Sequence, residues 1–125
     1  MYTMKLSTNE VTLIGFVGGD AKQKETKNHN RYAVVNMATN ESWKDKQTGE
    51  WTKRSTWHRL VGYGTTGESM MSLAKGAFVQ VRGSIRNYEL PGKDGQGKRN
   101  VTEIVVTGFA KLDRNRQPVP EEAAA

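Results

Sequence analysis

All three tryptophans of the chain, Trp43, Trp51 and Trp57, fall within residues 41–64, interleaved with Lys44, Lys46, Lys53, Arg54 and Arg59. Large rings among cations suit one chemistry above others. The π-face of an indole or phenol stacks on any nucleobase, and Lys or Arg between the rings neutralises the phosphates that join the bases. Duplex DNA keeps its bases stacked on one another, so exposed rings point to single-stranded targets. The competing destination is ordinary: Trp and Tyr are common in strands and pair across them. Parity decides between the two. Residues of equal parity share a strand face, and from 51 to 63 the odd positions are Trp51, Lys53, Ser55, Trp57, Arg59, Val61 and Tyr63. Burying Lys53 and Arg59 beside those rings needs counter-charges that this face does not carry. Further along, Arg82, Ser84, Arg86, Tyr88 and Leu90 share a second wet face, while Val79, Val81, Gly83 and Ile85 read as core.

Other chemistries find little support. His29 and His58 are the only imidazoles, one in a loop and one in a strand, and no carboxylate cluster offers paired acid and base or a metal site. Glu103 reads as surface or ladder pairing. Gly92, Gly97 and Lys98 match the Gly-x4-Gly-Lys part of a phosphate-binding loop, but Arg99 follows where Ser or Thr is needed, and the segment joins two strands. No enzyme activity, cofactor or metal is expected.

The whole chain agrees with a polyanionic partner. It has 125 residues and a net charge of +6. Residues 1–112 hold 17 basic and 10 acidic side chains, a net of +7. Mean hydropathy is −0.73, and the sequence contains neither a membrane-spanning apolar run nor a secretory signal at its start. Cysteine is absent, so disulfides, thiolate metal sites and a cysteine nucleophile are excluded. No membrane partner is expected.

Strand signals dominate the elements that must position these residues. Residues 9–20 are a β-branched apolar run closed by Gly18, Gly19 and Asp20, and 21–30 read as a basic loop. Residues 31–43 and 51–64 are strands joined by the turn "KDKQTGE", with Gly49 at the positive-φ position. The spacing predicts one helix over 65–76, capped by Thr65 or Thr66, apolar at Met70, Leu73 and Ala74, and ended by Gly76. Strands follow at 77–90 and 100–112 around a flexible basic loop at 91–99. Residues 1–8 read as a flexible N-terminus, 9–112 as one domain, and 113–125 as a disordered tail. Three strands, a short helix and two strands give an all-β fold. Its order is that of an OB-fold, a five-stranded Greek-key barrel with one helix between strands 3 and 4. A small SH3-like barrel is the competitor.

The stretches "NEVTLIGFVGGD", "ATNESWKDKQTGEW", "TWHRLVGYG", "LAKGAFVQVRGSI" and "KDGQGKRNVTEIVV" together resemble the bacterial and mitochondrial-type single-stranded DNA-binding protein family over about residues 9–108. The resemblance implies an OB-fold, assembled as a homotetramer, that wraps single-stranded DNA without sequence preference or catalysis during replication, recombination and repair, in the cytoplasm at the nucleoid. By position, Trp43 and Trp57 match base-stacking tryptophans, and Tyr63 a stacking aromatic. Lys46, Arg59, Lys75 and Arg86 match basic positions that approach phosphates, and His58 matches a histidine at the subunit interface. The chain departs from the family pattern at Leu90, where a tryptophan is common; Tyr88, two residues earlier on the same face, is the expected replacement. Glu10 and Thr65 stand where lysines are usual, and Trp51 is not a family stacking position, though its parity makes it a second candidate to replace the one lost at Leu90. The family's acidic C-terminal tip, which recruits repair proteins, is not expected in a chain that ends "PVPEEAAA". The alternative reading is an OB-fold replication-accessory or RNA-binding protein acting through protein contacts.

Overall fold

A computed structural model describes residues 6–95 and 97–112, the Asp94 side chain excepted. The expected tail at 113–125 and most of the expected flexible N-terminus lie outside these residues.

The chain runs β1 (Val11–Val17), β2 (Lys22–Glu25), β3 (Arg31–Lys44), β4 (Trp51–Tyr63), α1 (Gly64–Met70), β5 (Phe78–Pro91) and β6 (Lys98–Lys111). Strand neighbours follow β1-β5-β6-β4-β3, and β1 returns to β3 through Phe16↔Ala38 and Val17↔Met37, so five strands close into a barrel. All pairings are antiparallel except the short seam Leu60↔Ile104 and Val61↔Val105 between β4 and β6. This is the OB-fold expected from the order of elements, with the helix between the third and fourth barrel strands.

One strand face fills the barrel. Ala33, Val35 and Met37 from β3, Leu60 from β4, Val79 and Val81 from β5, and Ile104 and Val106 from β6 form the core, and Met70 and Leu73 plug one end. Gly67 lets α1 lie against β4, since a Cβ there would run into the Gly62 carbonyl. Alternation along β4 therefore puts Trp57, Arg59 and Tyr63 outside whenever Leu60 is inside.

Five expectations need correction. Residues 21–30 are not all loop: Lys22–Glu25 form β2, paired with β3 through Lys22↔Val34 and Lys24↔Tyr32. A four-residue strand with no apolar side chain has no periodic signal, and it is held through its pairing with β3; its lysines suit an edge strand. The helix stops at Met70, not Gly76, and Tyr63 holds its N-cap position without a side-chain bond. Beyond Met70 the backbone is claimed by other elements, with Leu73 accepting from Ala21 at 3.0 Å and Gly76 donating to Val17 at 2.8 Å, while Ala74 is exposed. Ile85 is not core but 44% exposed. The β5–β6 register shifts between Arg82 and Gly83, and β1 ends opposite Gly83. Past that point the Asn9 side chain pairs with the Ile85 backbone at 2.8 and 2.9 Å. Gly49 has the expected positive φ, 77°, closing the β3–β4 turn in which Asp45 accepts from Gln47 at 2.7 Å.

Candidate nucleic-acid interface

Outward positions of three barrel strands converge on one carboxylate. Glu103 of β6, directly opposite Arg86 of β5 in the ladder, is 2% exposed and is the one charged side chain buried among the described residues. Arg59 donates through Nε to its Oε2 at 3.2 Å, and the Tyr88 hydroxyl donates to the same oxygen at 3.1 Å. Arg86 donates to Oε1 through Nε at 3.1 Å and also through Nη2. Arg86 Nη2 is 2.6 Å from the Tyr63 hydroxyl, and the guanidinium lies 5.5 Å from the Tyr63 ring centroid and 5.8 Å from that of Tyr88. Tyr32 of β3 extends the cluster, its ring 5.7 Å from that of Tyr63.

The counter-charge that β4 lacks thus arrives from β6. Of the two expectations for Glu103, surface or ladder pairing, the structure shows ladder pairing: it lies opposite Arg86 and is buried. Burial pushes its carboxyl up, and the hydrogen bonds from Arg86, Arg59 and Tyr88 together outweigh that and hold it below the usual carboxylate range. The hydrogen bonds to Tyr63 and Glu103 push the Arg86 guanidinium further up. Burial and the bond to Glu103 raise Tyr88. The rings of Tyr63 and Tyr88 nevertheless remain partly open to solvent.

Trp57 sits beside this cluster and is 63% exposed. Its six-membered ring rests on the Gly18 backbone, where any Cβ would strike it. A groove of about 640 Å³ runs there between the Gly18–Gly19 turn, Lys22, Lys24, Trp57 and Arg59. Lys22 and Lys24 were legible only as loop charge. Their i, i+2 spacing is the signal that two cations share one strand face, and the pairing with Val34 and Tyr32 turns that face toward Trp57.

The remaining predicted residues lie elsewhere. The β3–β4 ladder continues past the barrel from Asn40↔Ser55 as an arm in which every residue from 40 to 55 is exposed. Trp43 is opposite Thr52, so it projects from the face of the arm opposite to that of Trp57, with the Arg54 guanidinium 5.1 Å from its ring. Lys46 lies in the arm's turn and Lys75 in the segment after α1, where its backbone amide donates to Asp20 at 3.0 Å. Trp51, 66% exposed, stands at the arm's tip opposite Lys44. His58 faces away from Trp57, as parity requires. Its Nε2 is 2.9 Å from the Thr39 hydroxyl, and burial lowers its pKa. Leu90 is only partly exposed. Among the described residues no group of His, Asp or Glu could hold a metal ion, and no helix is long and apolar enough to cross a membrane.

This geometry has relatives. The chain resembles a solved Plasmodium falciparum SSB in complex with single-stranded DNA, with a TM-score of 0.73 and 29% identity over 89% of this chain and 100% of that one. The model of the single-strand binding protein family matches residues 8–112. With the barrel, its outward rings and this match over most of its length, the chain belongs to the single-strand binding protein family.

Proposed function

We propose that the protein binds single-stranded DNA without sequence preference and without catalysis, coating strands exposed in replication, recombination and repair. The observation that carries this reading is the outer barrel face, where Trp57, Arg59 and Tyr63 share one side of β4 and Arg86 lies against the open rings of Tyr63 and Tyr88. Bases stack on Trp57, Tyr63 and Tyr88, with Tyr88 serving where the family commonly has a tryptophan at the position of Leu90. Trp43 stacks on the opposite side of the arm, so a strand using both tryptophans passes around it. Lys46 and Lys75, whose side chains have no partner among the described residues, meet phosphates, as do Lys22 and Lys24 along the groove. Arg59 and Arg86 border the stacked bases.

The protein works as a homotetramer, with His58 at a subunit interface. Support for self-association comes from β1, where Ile14 and Phe16 are half exposed on the barrel's outside and Phe16 packs on Phe78 at 4.8 Å. Titration of tryptophan fluorescence with oligo-dT tests the binding: strong quenching is expected, and no quenching at low salt overturns the function. Light scattering tests the assembly, with four chains of 14.0 kDa expected and a monomer excluding it.

A further inference from the structure

We propose that Glu103 is a positioning residue of the binding face, holding the Arg59 and Arg86 guanidiniums as fixed walls of the ring cluster and withholding them from phosphate neutralisation. The proposal rests on the reading of that face as a surface for single-stranded DNA.

A carboxylate has about four lone-pair sites. Those of Glu103 are filled by Arg59 Nε, the Tyr88 hydroxyl, and Arg86 Nε and Nη2. Moving either arginine to a phosphate would strip partners from a carboxylate that is 2% exposed, and an unpaired buried charge costs far more than one exposed phosphate contact returns. The arginines therefore stay. Two guanidiniums and one carboxylate sum to a single positive charge, so the cluster is a weaker counter-ion for DNA than its two arginines suggest. What the pairing supplies is order. Arg86 is clamped between the Tyr63 and Tyr88 rings and bonded to the Tyr63 hydroxyl, so those rings are set before a base arrives and the loss of rotamer freedom falls on folding rather than on binding.

The salt dependence of binding separates this from a purely structural role. Each phosphate neutralised on a single strand adds about 0.7 to the slope of log K against log salt. Glu103→Gln keeps the shape and removes the charge that restrains the arginines. Its slope, read by oligo-dT quenching, is expected to steepen by about 0.7 to 1.4, an extra three- to sevenfold loss of affinity between about 50 and about 200 mM salt. A slope equal to that of the wild type overturns the proposal. Should Glu103→Gln fail to fold, Arg59→Gln carries the test, because Glu103 keeps Arg86 and Tyr88 as partners. It is expected to lower affinity by a factor nearly independent of salt, and a slope shallower by the full ~0.7 overturns the proposal. Absence of wild-type binding removes the function and this assignment together, whereas normal wild-type binding with unaltered Glu103→Gln slopes removes the assignment alone.

Discussion

On the barrel face, Trp57 lies against the Gly18 backbone, and Arg86 is fixed by Glu103, Tyr63 and Tyr88 at once. On the arm, the same residue types are held by far less: Trp43 has Arg54 above its ring, and Trp51 has only its ladder neighbour Lys44 among the described residues. Both regions offer rings and cations to solvent, and they differ in how many strands specify each side chain. Three strands meet at Glu103, whereas the arm is a two-stranded ribbon without a core beneath it, and such ribbons are marginal on their own. The barrel face is thus preformed, and the arm can adjust to the strand that it meets.

The largest effect that this contrast predicts is on affinity. Trp57→Ala should cost about 1–3 kcal/mol of binding to oligo-dT, the usual worth of one base stack, measured by titration of the remaining tryptophan fluorescence. Trp51→Ala should cost much less, and equal losses would erase the distinction between face and tip. Next comes stability. Arg86→Ala leaves Glu103 with Arg59 and Tyr88 alone; since Arg86 is 44% exposed, about 1–2 kcal/mol is expected rather than the full cost of breaking a buried pair, read from urea unfolding. Arg54→Ala, which removes one exposed cation over a ring, should change stability by at most about 1 kcal/mol in the same assay.

A pH titration sharpens the comparison further. The Glu103 carboxyl is held below its ordinary 4.5 in the folded chain. Its contribution to stability is therefore complete above that value and is lost as pH falls toward the folded-state pKa. Glu103→Gln should flatten the acid limb of the stability curve, measured by denaturant midpoints at successive pH values. Smallest of all, Gly18→Ala should displace the Trp57 ring and lower affinity only a few-fold, because the ring is free to shift toward solvent.

Much of this was legible in the residues themselves. Alternation along β4 announced which side chains face out, and the order of strand and helix signals announced the barrel. What escaped is non-local. Glu103 lies 44 residues from Arg59 and 17 from Arg86, so nothing in its own neighbourhood distinguishes it from a surface glutamate. β2 escaped because its stability belongs to its partner β3. The helix end escaped because the amides beyond it are bonded elsewhere, Lys75 to the Asp20 side chain and Gly76 to Val17 of β1, instead of continuing the helix. Ile85 escaped because a register shift and the end of β1 cannot be read from alternation. Trp43 and Trp57 look equivalent in one dimension, and only the register of the β3–β4 ladder assigns them to opposite sides.

The parallel seam between β4 and β6 joins Leu60 to Ile104 and Val61 to Val105, and it carries a temporal consequence. During synthesis β6 is the last strand of the barrel to leave the ribosome, and it brings both the closing seam and Glu103. A nascent chain that has completed β5 already displays Trp57, Arg59 and Arg86, but without the carboxylate that disciplines them. Until β6 is in place no strand bridges β5 to β4 and the two guanidiniums lack their carboxylate, and incomplete sheets of this kind are prone to aggregate. Arrival of one strand shuts the barrel and quenches the excess charge in the same event, so the binding surface matures only when the fold does.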